Sequence, residues 1–508
     1  MQFIDAAVRP NKVCERIFTD NRARFSQQSQ FCRFDDSTHP PSTVSALVVC
    51  ITVVLLSAWV QGQISGTNFG FQCGVSDTEN CKGSGNFIAW PSVPTPGLIR
   101  LHASGTYWSF LEPSNGTFNW SPLDAWLDTI AAHQPMAVAY QFWLTPCWDA
   151  TTCTAPDVDA TGTSYPPSDL VPSGSPSLNT FVTAFVGHCS AAGNCVKDLI
   201  KYYQMYNEWD MPAEWSGTLT QLYQMITPAV AIIRANVPNA IVLMPQTTPA
   251  DPHYACNFLA ELNTDATAGP AGGRLSDWVD FHLYLTASLS STNTPEQQWQ
   301  NYVQNGSTGF LDLMRGATDS SCSPGPASAP GWSNVPWVNS ETNFNGSADL
   351  QFVCPNPSQT PYDEYTETDC VGQVVRAQLL HDSNGASGLW WYEWMRTIGG
   401  VPQYETAYSY MMQYLLGGSF SAPCSQSTTA GAQTWTCAFN EQNGTNALWV
   451  WTPDEAGIAY SVPAGYADYR DLNGNVISIS SQQSISISVV PLLLEGIAAP
   501  SHLTASVM

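Results

Sequence analysis

Glu208, in "YYQMYNEWD" (202–210), and Glu341, in "WVNSET" (337–342), are carboxylates closing apolar, aromatic runs in a chain with only 11% charged residues. Two such groups facing one bond can divide the work: one protonates a leaving oxygen while the other attacks the carbon it leaves. Across a glycosidic bond this is hydrolysis with retention, which needs the two carboxyl groups about 5–5.5 Å apart. The neighbours assign the roles. Asn207 precedes Glu208 with an amide suited to a sugar 2-hydroxyl, and Tyr206 and Trp209 give that carboxyl an aromatic setting that disfavours charge, as a general acid requires. Glu341, as nucleophile, must stay ionised, so a cation and hydrogen-bond donors are expected beside it. Arg100 in "GLIRLH" and His282 with Tyr284 in "VDFHLY" are the candidates, and His102 joins them as a substrate-binding residue.

These groups can meet only if the elements carrying them converge. From about residue 66, short apolar runs alternate with amphipathic helix-like segments, the pattern of βα units around a parallel sheet. Eight candidate strands stand out: "NFGFQCG" (68–74), "GLIRLHA" (97–103), "MAVAYQFW" (136–143), "YYQMYNE" (202–208), "AIVLMPQ" (240–246), "WVDFHLY" (278–284), "PWVNSE" (336–341) and "GLWWYEW" (388–394). Eight closes a (β/α)8 TIM barrel, in which catalytic groups project from the C-terminal strand ends. Glu208 then ends the fourth strand and Glu341 the seventh.

Between the strands, "SPLDAWLDTIAAH" reads as a helix opened by a Ser cap and a Pro, and "TLTQLYQMITPAVAIIRAN" carries a long apolar stripe. The Pro-, Ser-, Thr- and Gly-rich stretches near 150–180 and 345–370 are predicted loops on the catalytic face. After "ETAYSYMMQYLLGG" (405–418), short runs such as "TWTCAFNE", "NALWVWTP", "GIAYSVPAG" and "SISISVVPLLLEG" predict a small C-terminal antiparallel β-sandwich-like domain over 419–508, following a barrel over 62–418.

Aromatic rings stack on the apolar face of a pyranose. In the last barrel strand Trp391 and Glu393 share a face, and this face is expected to meet sugar, while Trp390 and Trp394 fall on the other. Trp143, Trp209, Trp148 and Trp215 are further platform candidates.

The composition narrows the partners. A formal net charge of −25 argues against nucleic acid, whose phosphates want a basic face. Residues 44–60, "VSALVVCITVVLLSAWV", are at the lower edge of a membrane span and follow a polar tail, 1–43, rich in Arg. Segment 44–61 reads either as a signal anchor or as a cleavable signal behind an over-extended start, and both place the remainder outside the cytosol. The cysteines agree: beyond Cys14, Cys32 and Cys50, 12 of the 15 remain, several close in sequence, as for Cys73 and Cys81, Cys147 and Cys153, Cys189 and Cys195, Cys424 and Cys437. The pairing of Cys256, Cys322, Cys354 and Cys370 stays open. Asn115, Asn119, Asn305, Asn345 and Asn443 head N-x-S/T triplets, which lean the same way. No C-x-x-C with a nearby His points to structural zinc, and no G-x-S-x-G, H-E-x-x-H or phosphate-binding Gly-rich loop occurs.

The ordered set "GLIRLH", "MYNEWD", "VDFHLY" and "WVNSET", with "GTYWSFLEPSNGTFNWSPLDAWLD" after strand two, resembles the clan A glycoside hydrolases. It is most similar to family 39, a group of β-xylosidases, α-L-iduronidases and related exo- and endo-glycosidases. The resemblance covers about residues 66–420, and the trailing β domain is similar to one the family carries. It implies a retaining double displacement on an oligo- or polysaccharide, with Glu208 as acid/base, Glu341 as nucleophile, and no metal or organic cofactor. The permitted substrates include xylosides, uronides, arabinogalactan side chains and β-glucans. Where clan members often have Asn-Glu-Pro, this chain has Asn-Glu-Trp, which leaves the chemistry intact and alters the adjoining subsite. The competing class is a carbohydrate-binding or cell-wall protein on a barrel that no longer catalyses. Its usual sign, loss of one glutamate, is not found in this sequence.

Overall fold

The structure is a computed structural model describing residues 62–72, 96–102, 104–152, 166, 177–285, 294–319, 322, 331–343, 367–392, 401–429, 431–454, 456–480 and 483–496. The N-terminal tail and apolar segment 44–60, Cys73, Cys81, Cys153 and Cys354, most of the two Pro- and Ser-rich stretches, and Glu393 with Trp394 lie outside the described residues. Among the described residues no helix is long and apolar enough to cross a membrane.

Eight strands match the eight predicted runs, seven falling inside them and the seventh in chain order running one residue past its run: β1 (Phe69–Gln72), β2 (Leu98–Leu101), β3 (Ala137–Gln141), β4 (Tyr202–Gln204), β5 (Ile241–Leu243), β6 (Val279–His282), β7 (Trp337–Thr342) and β8 (Gly388–Trp391). They pair in parallel in the order β5-β4-β3-β2-β1-β8-β7-β6. Parallel bridges Leu243 to Trp278 and Thr247 to Phe281 join the two edges, so the sheet closes into a (β/α)8 barrel.

Strand alternation divides the core. Leu98, Ala139, Tyr202, Leu243, Val338 and Trp390 point inward and form an apolar floor. Their neighbours Ile99, Val138, Tyr203, Val242, Phe281 and Leu389 point outward to the helices. Trp390 needs room for its indole, and Gly70 on β1 supplies it: a Cβ there would stand 2.1 Å from the Trp390 ring.

The helices follow their apolar stripes. Leu219–Asn236 begins at a Thr218–Gln221 capping box and buries Leu222, Met225, Ile226, Ala229, Val230 and Ile233, one face at helical spacing. Ser121–Ala132 starts one position earlier than expected, with Trp120 at the cap and Ser121 already helical; Pro122 then sits where a missing N–H costs nothing.

Beyond the barrel, Ser419–Phe420, Ser425–Thr429, Ala432–Asn440, Asn446–Trp451, Tyr466–Arg470, Val476–Ser478 and Leu492–Gly496 make one antiparallel sheet, and Ile458–Ser461 pairs with Ser484–Ile487 in a second. Val450, Val462, Ile485, Ile487 and Leu494 pack as one apolar cluster drawn from both sheets. "SISISVVPLLLEG", read as one strand, is two strands in different sheets, because Pro491 cannot donate to a ladder. Trp451 of this region donates to Glu296 Oε1 at 2.7 Å, and Glu296 also accepts from Arg376 at 3.2 Å, a buried tie to the barrel's helices.

Cys189 pairs with Cys195 and Cys424 with Cys437, as their spacing suggested. Cys256 pairs with Cys322, which settles that part of the open set, and Cys147 and Cys370 are disulfide-bonded as well. The Cys256–Cys322 bridge spans a sequence separation of 66. By chain entropy, closing a loop of that length contributes about 4 kcal/mol. The Cys256→Ala/Cys322→Ala variant is therefore expected to lose up to about 4 kcal/mol in denaturant unfolding, and an unchanged midpoint would contradict this.

Candidate active site

Glu341 reaches the barrel interior through an irregularity in β7. Pairing with β6 runs from Phe281 opposite Asn339 to His282 opposite Glu341, so Ser340 is an extra residue on β7. A bulge of this kind turns two consecutive side chains to one face. Ser340 and Glu341 both point inward as a result, Ser340 towards Gln204 and Glu341 towards Arg100. Asn339 points away, its amide bonded to His381 and to the backbone of Leu283.

Inside the barrel the expected partners surround Glu341. Arg100 of β2, fully buried, donates to Glu341 Oε2 at 2.5 Å, and Tyr284, just past β6, donates its hydroxyl to Oε1. Burial and the two glutamates hold the Tyr284 phenol well above its usual range, so it remains a donor.

Glu208 lies four residues beyond the end of β4, in a turn closed by Met211 N–H donating to its carbonyl, so it does not end the strand as expected. Its φ is +33°, a left-handed conformation that costs a glutamate about 1–3 kcal/mol and gathers at functional sites. The strained turn carries the carboxyl back over the mouth, where it bonds His282 Nδ1 at 2.8 Å. Arg100, donor only, approaches His282 Nε2 at 3.4 Å, so Nε2 accepts and Nδ1 carries the hydrogen given to Glu208. Burial keeps this imidazole neutral, lowering it to about 3 against the pull of Glu341.

Oxygens of Glu208 and Glu341 and a nitrogen of His282 lie within 4.8 Å of one another. The environments of the two carboxyls differ. Burial pushes Glu208 up to about 7, with Arg100 opposing, whereas Glu341 is locked to the guanidinium itself. Three such groups have the make-up of a metal site, but Arg100 already supplies the positive charge within the cluster and would repel a bound cation.

Asn207 turns its Oδ1 inward to Gln141 Nε2 at 3.1 Å and its Nδ2 to Glu214 at 3.2 Å. His102 is buried beside Arg100 with Trp143 stacked on it at 4.9 Å between centroids, and burial keeps its ring neutral. Trp209, part-buried, ties its indole N–H to Glu261 at 2.7 Å. Trp215 is buried edge-on to Tyr206, and Trp148 donates to the Glu112 carbonyl.

Trp391 does not meet the expectation of a sugar platform. It is fully buried in the outer apolar layer, because with Gly70 opposite it is Trp390 that points inward. Glu393, its partner in that expectation, lies outside the described residues. On the inward parity of β8 the next side chain is Tyr392, with its ring 6.3 Å from that of His102.

Sequence reasoning passed over a second layer. Gln72, Gln141 and Gln204, buried beneath the catalytic pair, accept from Arg100, and Gln246, Asp280 and Ser340 are buried behind them and bonded to Gln141 or Gln204. The signal was available: four of the eight apolar runs carry a lone Gln.

No protein-family model matches the chain, and no curated protein matches it. Among solved structures it is similar to a family 39 glycoside hydrolase from the gut symbiont Bacteroides cellulosilyticus WH2, at 13% identity and TM-score 0.51, over 86% of this chain and 83% of that one. A glucosidase from Croceicoccus marinus (11%, TM-score 0.48, 87% and 98% covered) and a family 39 β-xylosidase from Caulobacter crescentus (14%, TM-score 0.46, 86% and 98%) also match. At these identities the likeness is one of fold, and the fold is the one the sequence motifs led us to expect.

Proposed function

We propose that this protein is a retaining O-glycoside hydrolase acting on an extracellular oligo- or polysaccharide, with Glu208 as acid/base and Glu341 as nucleophile. The observation that carries the reading is the pair itself: carboxylate oxygens within 4.8 Å, one group paired with the Arg100 guanidinium, the other raised to about 7. The separation is near the value of about 5–5.5 Å for retention and short of the about 6.5–9.5 Å that inversion needs for an intervening water.

In the first step Glu341 attacks the anomeric carbon, and Glu208, in its protonated form, passes its proton to the departing oxygen. A glycosyl ester on Glu341 results. In the second step the Glu208 carboxylate removes a proton from water, which displaces Glu341 and regenerates the acid. His282 Nδ1–H steadies Glu208 in its charged phase, and Tyr284 and Arg100 take up the charge returning to Glu341. Asn207 Nδ2 faces Glu214 rather than the barrel floor and is the donor for the sugar 2-hydroxyl. The mechanism requires neither metal nor organic cofactor. The disulfides support an extracellular setting.

The test is hydrolysis of a panel of aryl glycosides and plant, fungal and bacterial polysaccharides by residues 62–508. Turnover names the sugar. Glycan binding without turnover across the panel would favour a binding protein instead.

A pH profile adds a signed prediction. Glu208 must be protonated to act as acid, and its carboxyl, raised to about 7, is charged above that value. The alkaline limb of kcat/KM is expected at about pH 7, with rate lost as pH rises through it. A profile flat from about pH 6 to about pH 9 would contradict the assignment.

A further inference from the structure

We propose that Asp280 is a positioning residue for this reaction: a buried carboxylate one layer below the catalytic pair that fixes the direction of three glutamines and Asn207, and through them aims Arg100 at Glu341. The inference rests on the glycosidase reading above and deepens it.

A side-chain amide fits a site equally well with its nitrogen or its oxygen forward, so shape alone does not decide which end faces a partner. A carboxylate only accepts. Asp280 Oδ2 accepts from Gln204 Nε2 and from Gln246 Nε2, each at 2.7 Å. With its nitrogen committed, Gln204 presents Oε1 to Arg100 Nε at 2.7 Å. Gln246 presents Oε1 to Gln141 Nε2 at 2.6 Å, and Gln141 in turn presents Oε1 to an Arg100 terminal nitrogen, Nη2, at 2.9 Å.

Two relays therefore leave one oxygen of Asp280 and arrive on two different nitrogens of one guanidinium. That group is planar, so fixing Nε and Nη2 fixes the direction of Nη1, the nitrogen bonded to Glu341 Oε2. The second relay has a branch. Gln141 Nε2 also donates to Asn207 Oδ1, which leaves the Asn207 nitrogen directed at Glu214.

Asn at position 280 would keep the volume and remove the instruction, since it can donate as well as accept. A reversed Gln204 or Gln141 sets N–H against the N–H of Arg100, and the guanidinium moves. Misplacement of a reacting group by about 1 Å costs on the order of 100-fold in rate. The fold does not share that need. Asp280 is fully buried, and burial raises its carboxyl to about 6 despite Gln204, Ser340, Arg100 and Gln246, so a neutral amide is no harder to bury.

The experiment compares the parent, Glu341→Ala, Asp280→Asn and Asp280→Asn/Gln246→Glu, each assayed for kcat, KM and Tm on the best aryl glycoside. Asp280→Asn is expected to lower kcat by about 10- to 100-fold, with KM within about threefold and Tm not lowered. Gln246→Glu restores an acceptor-only group at the head of the second relay and is expected to recover part of the kcat loss. Parental kcat in Asp280→Asn, or a loss that follows a fall in Tm and is not recovered by Gln246→Glu, would overturn the proposal. Should Asp280→Asn yield no folded protein, Gln246→Met, which cuts one relay, is expected to lower kcat about 10-fold at parental Tm, and parental kcat there would overturn it. A parent without turnover, or Glu341→Ala turning over at the parent's rate, would overturn the glycosidase reading itself and the proposal with it.

Discussion

Glu341→Ala is expected to lower kcat by about 10,000-fold or more on any aryl glycoside the parent hydrolyses. The methyl group cannot form the glycosyl ester, and the substitution also leaves Arg100 and Tyr284 facing the space its carboxylate occupied. That space explains the second half of the expectation. A small anion such as azide, drawn there by the Arg100 charge, can attack the anomeric carbon in place of the carboxylate. The product is a glycosyl azide of inverted configuration. Product analysis by nuclear magnetic resonance separates this from simple unfolding. A variant as active as the parent, or azide giving the retained configuration, would remove Glu341 from the role of nucleophile.

Glu208→Ala is expected to show a loss that depends on the leaving group. A dinitrophenolate departs without a proton, so formation of the glycosyl ester should be nearly intact on such a substrate. An alkyl or sugar leaving group needs the proton, and there the loss should reach about 100- to 10,000-fold. The alkaline limb near pH 7 should vanish with the carboxyl that produces it. Azide in this variant enters from the face Glu208 vacates and gives the retained configuration. Equal losses on good and poor leaving groups would contradict the acid/base role.

The two variants differ because the two carboxyls have different surroundings, and part of that difference was written in the sequence. Eight apolar runs placed all eight strands, since a parallel barrel strand buried on both faces needs uninterrupted apolar residues. Glu208, Glu341, Arg100, His282 and Tyr284 were all found near strand ends, where chemistry collects in this fold, and the structure brings them together.

What was not legible depends on parity and on turns. By strict alternation, Val338 pointing inward sends Glu341 outward; the extra residue at Ser340 reverses this, and one inserted residue has no signature in six letters. Trp391 was given the wrong face for the complementary reason. Both Trp390 and Trp391 are apolar, so the strand itself cannot choose, and the choice is made across the sheet by Gly70, whose missing side chain leaves room for the Trp390 indole. Glu208 was read as the last residue of a strand that in fact stops at Gln204, because the left-handed turn beyond it is fixed by tertiary contacts such as Trp209 N–H to the Gln246 carbonyl. The polar layer under the site was readable from the recurring Gln in "FGFQ", "AVAYQ", "YYQ" and "MPQ". A single glutamine in an apolar strand carries little meaning, whereas three bonded to one buried Arg100, with a fourth behind them, form a cradle.

The central claim is that Glu341 forms a covalent bond to the sugar. The most direct measurement is trapping with an activated 2-deoxy-2-fluoro glycoside of the sugar the panel identifies, followed by peptide mapping of the inactivated protein by mass spectrometry. The account predicts one glycosyl group per chain, carried on the peptide containing Glu341, with inactivation slowed by a competing substrate. An adduct on another carboxylate, or continued turnover of natural substrate with no adduct at all, would contradict it.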